Sequence, residues 1–174
     1  MESTVEIRPE GPADLPAIDE VNRVAFGRPD EARIVAALRE AKGFDPALSL
    51  VAGASGRVVG HLLLTAVAVE GEGPARPVLA LAPMAVLPGW QKRGIGSGLI
   101  RAGLEAARAR GHRAVVVLGH PAYYPKFGFV PASAHGIRAP FPVPDEAFLV
   151  REVIPGGLAG LAGTVRYPPA LSMP

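Results

Sequence analysis

The stretch Met84-Ala85-Val86-Leu87-Pro88-Gly89-Trp90-Gln91-Lys92-Arg93-Gly94-Ile95-Gly96-Ser97-Gly98-Leu99-Ile100 joins an apolar run to an apolar helical face through a loop of glycines and cations. Glycines at 94, 96 and 98 let a backbone approach an anion closely. A helix that starts there turns its unpaired N–H groups toward the same point. Such a loop can cradle a pyrophosphate. A bare Gly-x-Gly is equally a structural turn, so its surroundings must decide.

Upstream, Val78 to Val86 is almost wholly apolar, as in a strand covered on both faces. Pro83 interrupts it, and a residue without an amide hydrogen predicts a bulge or a parting of strands at that point. Downstream, Leu99, Ile100, Leu104 and Ala107 share one helical face, Arg101 and Glu105 stand at i, i+4, and Gly111 ends the pattern. Ala114 to Leu118 reads as another buried strand. Strand, glycine-rich turn, helix and strand within about forty residues form a βαβ unit with an expected right-handed crossover.

Two familiar nucleotide loops do not fit. A Walker loop needs Gly-x4-Gly-Lys-Ser/Thr, which the residues after Gly94 do not supply. A dinucleotide fingerprint opens the first βαβ unit of its fold, whereas this loop follows four or five strands.

Toward the N-terminus, Val5 to Arg8 alternates like a half-buried strand, and Ala13 to Phe26 carries Leu15, Ile18, Val21 and Ala25 at helical spacing before Gly27. Asp30 is placed to cap a second helix with Ile34, Val35 and Leu38 as its stripe, ending near Gly43. Leu48 to Ala52 and Val58 to Val69 read as strands joined by the hairpin turn Gly53-Ala54-Ser55-Gly56. Beyond the βαβ unit, a helical turn is expected at Tyr123 to Lys126, with strands starting at Phe129-Val130, at Ala147 to Val153 and around Thr164 to Tyr167. The 174 residues suit one domain.

Composition narrows the chemistry. The chain has no cysteine, which excludes disulfides, thiolate metal sites and thiol nucleophiles, and its four histidines show no metal-ligand spacing, so no metal is expected. Apolar residues make up 49% and the mean hydropathy is +0.26, yet no run nears the ~20 apolar residues of a membrane span, and none is expected. The first residues lack the basic and apolar regions of a secretory signal, so a cytoplasmic location is expected. Net charge is +2, but residues 90 to 130 carry seven bases against the single acid Glu105. Those charges could meet nucleic acid, a phosphate-bearing cofactor or solvent. They flank the glycine loop and no stacking aromatics interleave them, which favours the cofactor and leaves no nucleic-acid partner expected.

The combination resembles the GNAT acetyltransferase family. Gln91-Lys92-Arg93-Gly94-Ile95-Gly96 matches its Gln/Arg-x-x-Gly-x-Gly/Ala motif directly after an apolar strand. The strand-helix-helix opening, the hairpin ending Gly56-Arg57-Val58-Val59-Gly60 and the segment Tyr124-Pro125-Lys126-Phe127-Gly128-Phe129 follow in family order, covering roughly residues 4 to 153. The resemblance implies a GNAT α/β fold: a mixed central sheet of about seven strands, flanking helices, and a parted strand pair that holds acetyl-CoA. It implies one acyl-CoA N-acyltransferase domain over 1–174, with a core of about 4–153 and an extension over 154–174.

By the same resemblance, Gln91, Lys92, Arg93, Gly94, Ile95, Gly96 and Ser97 belong to the pyrophosphate site, the amides of 93–97 doing the holding. Met84, Ala85 and Val86 line the strand edge that pairs with the pantetheine arm, where an amide would polarise the thioester carbonyl. Tyr124 is implied as the acid that protonates the departing thiolate. The implied reaction is acetyl transfer from acetyl-CoA to a primary amine, on a small molecule or a peptide, in a ternary complex. A homodimer is compatible with the apolar tail.

The chain departs from the family pattern in two places. Where many relatives have an asparagine after the strand ending at Leu118, this chain has Gly119-His120-Pro121, as in the subfamily resembling Gly-x-Pro-x-Tyr-Tyr-x-x-Phe-Gly-Phe. His120 is a candidate for the missing contact or for a base. Val78 to Val86 also contains no acid, which leaves Glu31, His61, Glu70 and Glu72 as candidate bases. These departures keep a second function in view, an acyl-CoA sensor without turnover.

Overall fold

The computed structural model describes residues 4–171. In chain order the elements are β1 (Val5–Pro9), α1 (Leu15–Phe26), α2 (Asp30–Arg39), β2 (Ser49–Ala54), β3 (Arg57–Glu70), β4 (Arg76–Val86), α3 (Ile95–Ala109), β5 (Ala114–Leu118), β6 (Val130–Pro131), β7 (Ile137–Arg138), β8 (Phe148–Glu152) and β9 (Gly163–Arg166). Among the described residues the mixed α/β sheet has nine strands, seven of four residues or more and two of only two, against the about seven that the resemblance implies. The chain divides into two compact units that interleave in sequence: residues up to Thr65 with Ala82–Ala106, and Ala66–Leu81 with Ala107 onward. Strands β3 and β4 each pass from one unit into the other.

In the first unit β1 runs antiparallel to β2, from Val5↔Ala54 to Pro9↔Leu50. β2 in turn runs antiparallel to β3, with a bulge between Ala52 and Gly53. Ser55 and Gly56 link β2 to β3 with φ of 52° and 75°, two consecutive left-handed residues of the kind that the twist of a tight hairpin demands. α1 buries Ile18 and Val21 and ends on Gly27, whose N–H donates to Arg23 O. Its expected first turn is instead a separate 3-10 turn, Pro12–Asp14, where Asp14 accepts from Gly11 N and pairs with Arg8 at 2.6 Å. In α2 the position before the helix is Pro29, and Asp30 lies inside the first turn, where its charge meets the positive end of the helix.

α3 packs directly on β3. A Cβ at Gly60 would lie 3.2 Å from both Ile95 Cγ2 and Leu99 Cδ1, and one at Gly103 would lie 3.1 Å from Leu62 Cδ2. The two glycines therefore set how closely helix and strand approach. Ile95 and Leu99 are buried at this contact and fix the first turn of the helix.

In the second unit β4 and β5 run parallel, with Leu79↔Val115 and Ala80↔Val116 in register. Pro83, three residues past the second pair, has no amide hydrogen to extend a ladder. β8 lies antiparallel to β5 and to β6, while β9 pairs with the end of β3 and, in parallel, with β7. Val67, Val69, Val78, Val116, Phe148, Val150, Leu161 and Val165 are in the core of this unit. No helix among the described residues is long and apolar enough to cross a membrane.

Candidate active site

The glycine loop is anchored at both ends within the first unit. Along β4, Met84 and Val86 are half-buried and Ala85 is buried, the alternation expected of a strand with one covered face. Leu87 N donates to Val59 O at 2.9 Å, and a 3-10 turn, Pro88–Trp90, carries the chain away from the strand. Gln91 then reaches back, its Nε2 donating to Val86 O at 3.0 Å. Loop and strand end are thus tied side chain to backbone.

Between these anchors Gln91, Lys92, Arg93 and Gly94 are exposed, and Ile95 is buried. Lys92 and Gly94 take φ of 62° and 81°. A Cβ on Gly94 would meet nothing within 4 Å, so backbone conformation rather than crowding asks for glycine there. The first helical bond runs from Gly98 N to Gly94 O at 3.0 Å, so the amides of Ile95, Gly96 and Ser97 come before the ladder. These amides, the helix dipole and two exposed cations together fit an anion with several oxygens. The Arg93 guanidinium lies 4.9 Å over the Trp90 ring, which limits the directions its charge can take.

Tyr124 belongs to the second unit. It opens a 3-10 turn, Tyr124–Phe127, capped by Gly128 at φ 87°. Its ring meets Phe129 edge to face at 5.5 Å and Tyr123 at 5.2 Å. Arg151 Nε holds the turn by donating to Phe127 O at 2.8 Å. Burial, followed by the neighbouring Tyr123, pushes the Tyr124 phenol up to about 12. Its hydroxyl keeps its proton at any physiological pH.

Most of the candidate bases have other partners. His61 is fully buried, with Nδ1 3.3 Å from Asn22 Nδ2 and Nε2 2.9 Å from Ser49 Oγ. Ser49 in turn donates to Glu10, which pairs with Arg39 at 2.8 Å. This chain of five side chains, buried at Asn22, His61 and Ser49 and partly buried at Glu10 and Arg39, was not visible as a unit in the sequence, because its members come from α1, α2, β2, β3 and the segment after β1. Burial, and then the charge of Arg39, lowers the His61 pKa to about 3. Glu31 is bound to Arg28 at 2.5 Å, and the hydrogen bond holds its carboxyl below the usual range. Glu70 pairs with Arg166 at 2.6 Å, and Glu72 is exposed. His120 accepts a bond from Ala122 N through Nδ1 at 3.1 Å, a local cap on its own turn.

The family model described as the acetyltransferase (GNAT) family matches residues 15–129. An Escherichia coli K12 protein described as the uncharacterized N-acetyltransferase YjhQ is 45% identical over 135 residues, 77% of this chain and 75% of that one. The crystal structure of the E. coli GNAT family N-acetyltransferase YhbS in complex with CoA superposes with a TM-score of 0.90 at 34% identity, covering 99% of this chain and 94% of that one. A GNAT family acetyltransferase from Brucella melitensis, in complex with acetyl-CoA, gives 0.79 at 34% identity over 98% and 100% of the two chains.

Proposed function

Because the chain belongs to the acetyltransferase (GNAT) family, we propose that it carries an acetyl group from acetyl-CoA directly to a primary amine of a small molecule or peptide, within a ternary complex. Acetyl-CoA-dependent N-acetyl transfer is the activity at family level, and the donor is acetyl-CoA. The family match draws residues from both compact units, which supports one acyl-CoA N-acyltransferase domain over 1–174.

The observation that carries this reading is the anchored loop. In the proposed complex the amides of residues 93–97 hold the pyrophosphate, with Lys92 and Arg93 adding positive charge and Gln91 keeping the loop on β4. Met84, Ala85 and Val86 supply the strand edge for the pantetheine arm, where an amide polarises the thioester carbonyl. The amine nitrogen attacks the carbonyl carbon, the C–S bond breaks, and the electron pair leaves on sulfur. Tyr124 meets that developing thiolate. A phenol near 12 is a weaker acid than a thiol near ~8.5, so its main contribution is a strong hydrogen bond that stabilises the leaving group. The proton that the acceptor nitrogen loses goes to solvent and balances the one that CoA finally takes up.

The test measures release of free CoA across a panel of amines that includes polyamines, aminoglycosides and peptide N-termini, with the wild-type chain and Tyr124→Phe. Transfer to at least one amine is expected, with kcat falling about tenfold to a hundredfold in the variant while acetyl-CoA affinity holds. Tight acetyl-CoA binding with no release for any amine would instead establish the sensor reading.

A further inference from the structure

We infer that Gly119 is a positioning residue for Tyr124: the absence of a side chain at 119 creates the seat on which the tyrosine ring lies. A Cβ built on Gly119 would fall 2.2 Å from Tyr124 Cε2, 2.6 Å from Cδ2 and 3.2 Å from Cζ. The first two distances are far inside van der Waals contact, so the ring and any larger residue cannot share the space. Backbone conformation does not explain the glycine, because Gly119 does not adopt the left-handed φ that favours glycine. Room is the reason that remains.

The surroundings leave the ring as the part that must yield. Gly119 N donates to Ala147 O at 2.9 Å, which pins the backbone beneath the ring. Tyr123 N and Tyr124 N donate to His120 O at 3.0 and 3.3 Å, and Arg151 holds the far end of the turn through Phe127 O. Phe129 and Tyr123 brace the ring edge to face. With the backbone fixed on both sides, a methyl group at 119 displaces the ring through χ1 and χ2 and moves its hydroxyl, an amplified displacement because the oxygen lies at the end of the lever.

The inference concerns where the ring sits; its catalytic meaning rests on the reading of Tyr124 above, and the two are tested apart.

The experiment uses the full chain with 13C-labelled tyrosine, which gives three residues to resolve, Tyr124 being assigned by its loss in Tyr124→Phe. In Gly119→Ala the Tyr124 ring resonances should move well beyond the linewidth as the ring leaves its position against Phe129, while those of Tyr167 stay. Unmoved Tyr124 resonances in a folded Gly119→Ala protein overturn the inference. Should Gly119→Ala fail to fold, Gly119→Ala combined with Tyr124→Ala should fold, since removing the ring vacates the space, and failure of that pair also overturns it. With an amine that the panel turns over, Gly119→Ala should lower kcat about tenfold at an unchanged KM for acetyl-CoA, and add nothing to Tyr124→Phe. A Tyr124→Phe enzyme with full activity would remove the catalytic role of Tyr124 and leave the seat itself standing on the spectra.

Discussion

The side chain of Gln91 donates to the carbonyl of Val86 at 3.0 Å, so the first residue of the glycine loop is fastened to the last residue of the strand that precedes it. The bond is local in sequence but spans a turn, and it orients the loop before any ligand arrives. An exposed hydrogen bond of this kind is worth about 1 kcal/mol. Gln91→Ala should weaken acetyl-CoA binding about fivefold in a calorimetric titration, with little change in melting temperature. Gln91→Glu should weaken it further, because the replacement loses the donor and adds negative charge beside the proposed pyrophosphate site. Wild-type affinity in both variants would disconnect this bond from the cofactor.

The stacked pair Trp90 and Arg93 makes a separate prediction. Trp90→Leu should raise the dissociation constant for CoA about threefold, the scale of one exposed cation–π contact, and Trp90→Phe should restore most of the loss. Arg93→Ala should also flatten the salt dependence of binding. Identical salt slopes in Arg93→Ala and the wild type would show that the guanidinium does not face the phosphates.

His61 makes stability depend on pH. Its pKa is about 3 in the folded chain against an ordinary 6.5, so below pH 6.5 the unfolded chain binds a proton that the folded chain refuses. The stability linked to it is complete above pH 6.5 and declines, by roughly 1.4 kcal/mol per pH unit, as pH falls toward 3. Asp14, held near 2 by Arg8, adds its own decline only below about 3.8. Urea midpoints at pH 7, 5.5 and 4.5 should therefore fall steadily in the wild type. His61→Gln should be less stable at pH 7 and show a flatter profile across that window; a parallel profile would shift the cause to another group.

Tyr124 predicts a flat profile on the alkaline side. Because burial lifts its phenol to about 12, the ratio of wild-type to Tyr124→Phe rates should stay constant between pH 7 and 10. A ratio that shrinks toward pH 10 would mean that the ring ionises near its ordinary value and is not buried during turnover.

Gly60 tests the seat of α3. A valine there must push against Ile95 and Leu99, both held in the core, and should cost about 1–3 kcal/mol with a lowered urea midpoint. Cofactor affinity should fall with it, since the same two side chains fix the start of the helix that follows the loop. Unchanged stability would show that α3 can withdraw from β3 without penalty.

Much of this was legible in the chain. The periodicity around Leu99 predicts α3, the apolar run Ala114 to Leu118 is β5 residue for residue, and the hairpin turn expected at Gly53-Ala54-Ser55-Gly56 tightens to Ser55-Gly56 because Gly53 and Ala54 pair within β2. These are local signals, set by backbone preference and by which faces are apolar. The two-residue strand β7 was not expected, because nothing in Ile137-Arg138 alone distinguishes it from a loop until β9 is beside it. His61 looked like a candidate base from its residue type; its burial between Asn22 and Ser49 depends on residues 39 and 12 positions away. Gly119 looked like a missing asparagine, and its positive meaning came only with the ring five residues on.

By itself the sequence determined the glycine loop, its flanking strand and helix, and hence the family and the donor, because an anion cradle is made of backbone and the residues that shape it are contiguous. Tertiary structure decided which polar side chains are available for chemistry. It fastened Gln91 to Val86, sealed His61 into a buried chain, and laid Tyr124 on Gly119, because burial and partnership are properties of space that no spacing along a chain records.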